Sequence, residues 1–154
     1  MTGGDEEVFE QMRPLFSLLG TGIQYMGEAG SGQHTKACNQ IAVAGAVAAM
    51  SEALVYARAV GLDEQKMLTA IAKGAAGSWQ IDNTAPRVLA NDFAPGFYIK
   101  HFIKDMHIVQ QEMEQQDVHL DMLEAVCNMY EALAGMGEEN NGTQAVSYTH
   151  LTLP

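Results

Sequence analysis

Positive charge is scarce in this chain. Its 154 residues carry 8 lysines and arginines against 19 aspartates and glutamates, for a formal net charge of -11 and a pI near 4.6. That balance argues against an electrostatic footprint for nucleic acid or an anionic membrane, so small molecules and proteins are the expected partners. Cysteine is scarce as well. Cys38 and Cys127 both lie in helical patterns among apolar residues and read as two buried free thiols, which suits a reducing compartment. The one long apolar run, residues 41–51, is too short for a membrane span. The start, Met1-Thr-Gly-Gly-Asp-Glu-Glu7, is acidic where a signal peptide is basic and then apolar, so a cytoplasmic location is expected. What the chain does have is apolar material: 47% hydrophobic residues, enough for a core, at the length of one domain or one domain plus a piece of another.

The organising stretch is Gly30-Ser-Gly-Gln-His-Thr-Lys36-Ala-Cys-Asn-Gln40, which reads as a glycine-rich turn opening a long helix over 33–60. The helix continues through a nearly uncharged, alanine-rich segment to Gly61, a favoured residue just past a helix end. A helix apolar on nearly all sides is expected to be buried on nearly all sides. Ahead of it, Asp5 caps a short helix with Val8, Phe9, Met12, Leu15 and Phe16 on one face and Pro14 as a break or kink, and Thr21 to Gly27 has a short strand pattern between glycines. One helix and one strand cannot make a sheet, so residues 1–29 are expected to be the remnant of an α/β domain.

From residue 30 onward only helical periods appear. A second helix starts at an Asp63 cap and stops at Lys73-Gly74, a third lies near 79–90, a fourth runs from Tyr98 to Gln116, and the last covers about 120–134. Asn91 to Phe97 is a turn-rich connector. The predicted fold is mainly α, with an all-helical domain over 30–145. The segment 146–154 fits no helix of the pattern and is expected to be a non-native tail.

Lys36 is the chief chemical candidate. At the positive end of a helix and beside a buried segment, its ammonium is expected to be disfavoured by desolvation and by the helix dipole, which suits a general acid or base; a solvated surface lysine is the plainer alternative. Asn39 and Gln40 lie one helical turn on and can face the same side. Lys104-Asp105 is the second candidate, on the apolar face of the fourth helix; adjacent residues on a helix point apart, so the two should serve different neighbours, or form a solvated pair at the edge of the face. Ser78, Trp79 and Asn83 sit in a loop, where binding groups gather, although a tryptophan is more often core. His34, His101, His107 and His119 offer no helical metal pair with a third ligand, so no metal is expected. Gly30 and Gly32 lack the third glycine and the βαβ setting of a dinucleotide fingerprint.

Taken together, Gly3-Gly-Asp5, the Gly30 to Gln40 stretch, Met50-Ser-Glu-Ala53, Gly77-Ser-Trp79, Phe93-Ala-Pro-Gly-Phe97 and Lys104-Asp105 resemble the β-hydroxyacid dehydrogenase family, over residues 3 to about 145. That family includes 3-hydroxyisobutyrate dehydrogenase and 2-hydroxy-3-oxopropionate (tartronate semialdehyde) reductase. The resemblance implies an N-terminal Rossmann domain joined through the long helix to a helical domain of the 6-phosphogluconate dehydrogenase C-terminal type. It implies NAD or NADP as cofactor, a small semialdehyde or β-hydroxyacid as substrate, and a homodimer or homotetramer. By position it makes Lys36 the catalytic acid/base, Gly32, Asn39, Gln40, Phe97 and Asp105 substrate-binding, and Lys104 cofactor-binding. Either Asn39 or Gln40 takes the place of the family's substrate-orienting amide. The Rossmann half, with its phosphate loop and its residue discriminating NAD from NADP, is not in this sequence, which makes the chain a C-terminal fragment expected to be inactive alone. A non-catalytic helical oligomerisation module is the competing class. An imine reductase-like relative is disfavoured by the presence of Lys36.

Overall fold

The computed structural model describes residues 1–149. They form α1 (Glu6–Phe16), α2 (Ser31–Ala59), α3 (Glu64–Ile71), α4 (Ala85–Leu89), α5 (Ile99–Gln115) and α6 (Asp121–Gly135), with a π-helical turn at Gln80–Thr84 and a 3₁₀ helix at Thr143–Tyr148. There is no strand among the described residues. Two compact units divide the chain, Met1–Gln40 and the residues from Ile41 onward, with α2 running through the division.

In the first unit, Asp5 caps α1 by accepting from the Val8 N–H at 3.0 Å, and Glu6 and Glu7 fill the first turn. The helix does not break at Pro14. That residue lies in the last turn, so a single backbone bond is forgone before Ser17 caps the end by donating to the Arg13 carbonyl. Phe9 is 3% exposed and packs its ring against Phe16 and Tyr25, at centroid distances of 5.9 and 5.2 Å. The other expected inward residues do not follow it: Val8, Met12 and Leu15 are exposed, and so are Leu18 and Leu19. The strand expected over 21–27 reduces to a parallel bridge between Thr2 and Tyr25, held by Thr2 N–H to Gln24 O at 3.0 Å and Met26 N–H to Thr2 O at 2.8 Å. A strand needs a partner along its length, and here the pairing amounts to a single isolated bridge.

In the second unit, α2 buries a stripe of Ala44, Val47, Ala48, Met50, Ser51, Leu54 and Ala57. The expectation of burial on nearly all sides fails, because Ala42, Ala49, Glu52 and Tyr56 face outward. The run 41–51 also understated the helix: α2 has 29 residues and a window of mean hydropathy 1.4, long and apolar enough by composition alone to cross a membrane. Its buried stripe is nevertheless that of a core helix. Gly45 lets α6 approach closely, since a Cβ there would lie 3.2 Å from Met122 Sδ.

Helices α5 and α6 pack through Ile99, Phe102, Met106 and Val109 on one side and Leu123, Val126, Cys127, Tyr130 and Leu133 on the other, all buried at three- and four-residue steps. The rings of Phe102 and Tyr130 meet edge to face at 5.2 Å. Beyond α6 the chain turns back into the core: Tyr130 donates to the Thr143 carbonyl at 2.7 Å, Val146 and Ser147 are buried, and Tyr148 lies against Phe93 at 4.5 Å between centroids. Of the segment expected to be a tail, 146–149 is packed in this way and residues 150–154 lie outside the described residues.

Candidate functional site

The first turns of α2 hold three of the expected site residues in one hydrogen-bonded group. Gly30, at φ +99°, brings the chain into the helix, and Thr35 anchors the first turn by donating to the Ser31 carbonyl at 2.7 Å. Lys36 and Gln40 then lie one turn apart on the same side. Lys36 Nζ donates to Gln40 Oε1 at 2.8 Å, and Asn39 Nδ2 donates to the same oxygen at 3.0 Å. Gln40 is 4% exposed, so a buried, neutral acceptor positions the ammonium without cancelling its charge. Lys36 itself is exposed, and so is Asn39. The desolvation expected for Lys36 is therefore not supplied by the described residues, since a lysine at the first turns of a helix is shielded only by what packs over that end. Gly32 has a visible packing role: a Cβ there would lie 3.2 Å from both the Gly3 nitrogen and the Met1 carbonyl oxygen, so a larger residue would push the first residues back by a few tenths of an ångström.

A second group is carried by α5 and the connector before it. Residues 92–98 are clamped from both sides. Arg87 Nε donates to Asp92 Oδ2 at 2.8 Å while its Nη2 reaches the Ala94 carbonyl. The buried Gln144 amide donates to the Asp92 and Ala94 carbonyls at 3.0 and 3.1 Å. Gly142 N–H donates to Phe93 O, Thr143 N–H to Phe97 O, and Ile99 N–H to Asn141 O. The Arg87 guanidinium, and then the Ala94 N–H, hold the Asp92 carboxyl below the usual carboxylate range. Phe97 emerges from this clamp partly exposed, its ring edge-on to Phe102 at 5.8 Å.

Lys104 and Asp105 meet each other, as the alternative of a pair at the edge of the face expects. Lys104 Nζ reaches Asp105 Oδ1 at 2.9 Å, because the lysine's four-carbon stem is long enough to curl back around the helix. The carboxylate is the more sheltered partner, with 19% side-chain exposure against 63% for the lysine.

Other expectations need correction. Cys38 is exposed rather than buried, on the open side of the first turns of α2. Trp79 is 67% exposed rather than core, at the start of the π-helical turn, where Asn83 donates to its carbonyl at 3.0 Å. The sequence reading also missed a polar contact between α5 and α6. His107 Nε2 and Glu131 Oε1 are 2.7 Å apart, beside the buried Cys127, whose thiol is pushed up to about 11 by burial and by Glu131. The four-residue step from Cys127 to Glu131 was legible, but its convergence with His107 on another helix was not.

Among known protein families, residues 30–149 match the one described as NAD-binding of NADP-dependent 3-hydroxyisobutyrate dehydrogenase. The uncharacterized oxidoreductase YkwC of Bacillus subtilis is 51% identical over 146 residues, covering 95% of this chain and 51% of that protein. A probable 3-hydroxyisobutyrate dehydrogenase-like mitochondrial protein of Arabidopsis thaliana is 43% identical, covering 94% of this chain and 43% of its own length. The 2-hydroxy-3-oxopropionate reductase of Escherichia coli is 36% identical, covering 89% and 47%. Among solved structures, the 3-hydroxyisobutyrate dehydrogenase of Mycobacterium tuberculosis with L-serine superposes with a TM-score of 0.87 at 26% identity, over 96% of this chain and 53% of that one. The chain thus spans about half the length of the relatives it matches. Lys36, Asn39, Gln40, Phe97, Lys104 and Asp105 all fall inside the matched residues, and the chain belongs to the NAD-binding family of 3-hydroxyisobutyrate dehydrogenase.

Proposed function

We propose that this chain is the C-terminal half of an NAD(P)-dependent oxidoreductase that interconverts a small β-hydroxyacid and its semialdehyde, with Lys36 as the general acid and base. The observation that carries this reading is the Lys36, Asn39 and Gln40 group at the opening of α2, inside the family match. A reduced nicotinamide, when bound, would supply the hydride for the reductive direction. Lys36 Nζ gives its proton to the carbonyl oxygen as negative charge develops there, and takes it back from the hydroxyl in the reverse direction. Gln40 Oε1 holds the ammonium in place, and Asn39 orients the substrate beside it. By the family resemblance Phe97 and Asp105 are the substrate-binding residues of the second unit, and Lys104 offers a cation to a cofactor phosphate.

The described residues fit only part of a nicotinamide cofactor. They include a lysine for a phosphate but no glycine-rich strand-to-helix turn, so the remaining contacts belong to a preceding Rossmann domain. The exposed Val8, Met12 and Leu15 of α1, with Leu18 and Leu19 just beyond it, support that assignment, because apolar surface of this composition is normally covered. The helical portion follows the 6-phosphogluconate dehydrogenase C-terminal arrangement in this reading, and the outward stripe Ala42, Ala49 and Tyr56 on α2 suits a second subunit. The same stripe favours the competing reading, a helical oligomerisation module without catalysis.

Lys36→Ala in the full-length oxidoreductase reconstructed around this chain separates the two. General acid–base catalysis predicts a fall in kcat of about 10²- to 10⁴-fold with the circular dichroism spectrum unchanged. An unchanged kcat would eliminate the role of Lys36. NAD(P)H turnover by the 154-residue chain alone would refute the need for a preceding cofactor domain.

A further inference from the structure

We propose that His107, Cys127 and Glu131 form a zinc-binding site that clips α5 to α6. Its ligand set is one nitrogen, one sulfur and one oxygen, converging from two packed helices. On α6, the stripe Leu123, Val126, Cys127 and Tyr130 faces the core, which fixes Cys127 inward at 2% exposure. Glu131 lies one turn further on and on the same side as Cys127, at the edge of the buried face, with 47% side-chain exposure. His107 faces it from α5, one residue beyond the buried Met106, with 45% side-chain exposure. One ring nitrogen of His107, Cys127 Sγ and one carboxylate oxygen of Glu131 all lie within 4.8 Å of one another.

Tetrahedral zinc with bonds of about 2.0–2.3 Å holds its ligand atoms roughly 3.2–3.8 Å apart. The histidine and carboxylate, now 2.7 Å apart, must therefore open by less than about 1 Å and both shift toward the sulfur by about 1 Å. Both movable side chains are on the surface, where a change of rotamer is easy. The sulfur is the fixed point.

The donor chemistry selects the metal. Imidazole, thiolate and carboxylate together suit zinc, whereas magnesium and calcium prefer oxygen alone. On binding, the Cys127 thiol gives its proton to solvent and the Zn–S bond forms, with no change of oxidation state. A coordinating thiol is deprotonated outright by the ion. Three protein ligands leave the fourth position to water, on the solvent side shared by His107 and Glu131. The site uses none of Lys36, Phe97 and Asp105 and does not rest on the proposed reaction.

The test uses the full 154-residue chain carrying Cys38→Ser, which leaves Cys127 as its one thiol. Cobalt(II) replaces zinc as the probe, because a cobalt–thiolate bond produces a charge-transfer absorption in the near ultraviolet. The expected result is saturable binding of one ion per chain with that absorption, its displacement by zinc, and a higher Tm with zinc. His107→Ala alters an exposed side chain and leaves the core intact. It should weaken binding by more than about 100-fold, since loss of a partner that merely orients a ligand already weakens metal sites 10- to 100-fold. Adding Cys127→Ser should abolish the absorption. Absence of the thiolate band, absence of saturable binding, or equal affinity in His107→Ala would each overturn the site and leave His107 and Glu131 as a plain hydrogen-bonded pair.

Discussion

At Gln40 one buried carbonyl oxygen accepts from two side chains, Lys36 and Asn39, and this shared acceptor gives the opening of α2 a defined polar geometry. Gln40→Leu keeps the volume roughly constant and removes the acceptor. Because the lysine end is exposed, the loss should be about 1 kcal/mol, the ordinary net value of an intramolecular hydrogen bond, and urea denaturation of the chain reads it. A variant as stable as the parent would show that the shared oxygen does not organise the group. The grouping was legible in the sequence because spacings of one and four residues on a helix are local facts. Exposure was less legible. Cys38 and Cys127 have similar apolar neighbours in sequence, yet the first faces out and the second is buried, because burial depends on what packs over each position. Trp79 and Lys36 are exposed for the same reason. For Lys104 and Asp105, Cβ directions pointed apart correctly, but the length of the lysine stem decided the contact.

At the scale of elements, the helices were legible to within a few residues because periodicity and caps are local: Asp5 and Asp63 cap as expected, accepting from Val8 and Lys66. The strand over 21–27 was not, since strand pairing depends on a partner elsewhere in the chain. The 3₁₀ helix at Thr143–Tyr148 was missed as well, because its position is set by long-range bonds from Gln144 and Tyr130 rather than by a local pattern. Gln144 ties this helix to the connector that presents Phe97. Gln144→Ala would leave the Asp92 and Ala94 carbonyls without that donor and should destabilise the chain by about 1–3 kcal/mol. The observable is the urea midpoint together with faster amide exchange at Thr143, whose N–H bonds to Phe97. An unchanged midpoint would mean that Arg87 and the backbone bonds secure the connector without Gln144. Ser51 offers the opposite case: its Oγ is buried with no hydrogen-bond partner among the described residues. Ser51→Ala should be neutral or stabilising by about 1 kcal/mol, as a higher Tm.

For the molecule as a whole, the excess of acid over base sets the response to pH and salt. At pH 7 the net charge of -11 is a source of self-repulsion, and it falls toward zero as the pH approaches 4.6. Lowering the pH from 7 should therefore stabilise the fold at first. A second effect opposes this at lower pH. Glu10 and Asp92 have folded-state pKa values below their ordinary ones, through hydrogen bonds from Arg13 and Arg87 respectively. A depressed folded pKa gives stability that is present above the unfolded value and lost as pH falls through the folded one, so these contributions disappear below about pH 4. Stability should therefore peak on the acid side of neutrality and decline below pH 4, only modestly through these two exposed pairs. Salt separates the two causes. Self-repulsion is long-range and screened over roughly 8–10 Å at physiological ionic strength, whereas the Arg87–Asp92 contact at 2.8 Å is screened much less. Melts at pH 7 in low and high sodium chloride should show a clear rise in Tm, and the same comparison near pH 4.6, at low protein concentration to prevent precipitation, should show almost none. Equal salt shifts at the two pH values would mean that net charge does not limit this fold. Asp92→Asn should remove a small part of the loss below pH 4 while leaving the salt effect at pH 7 largely in place.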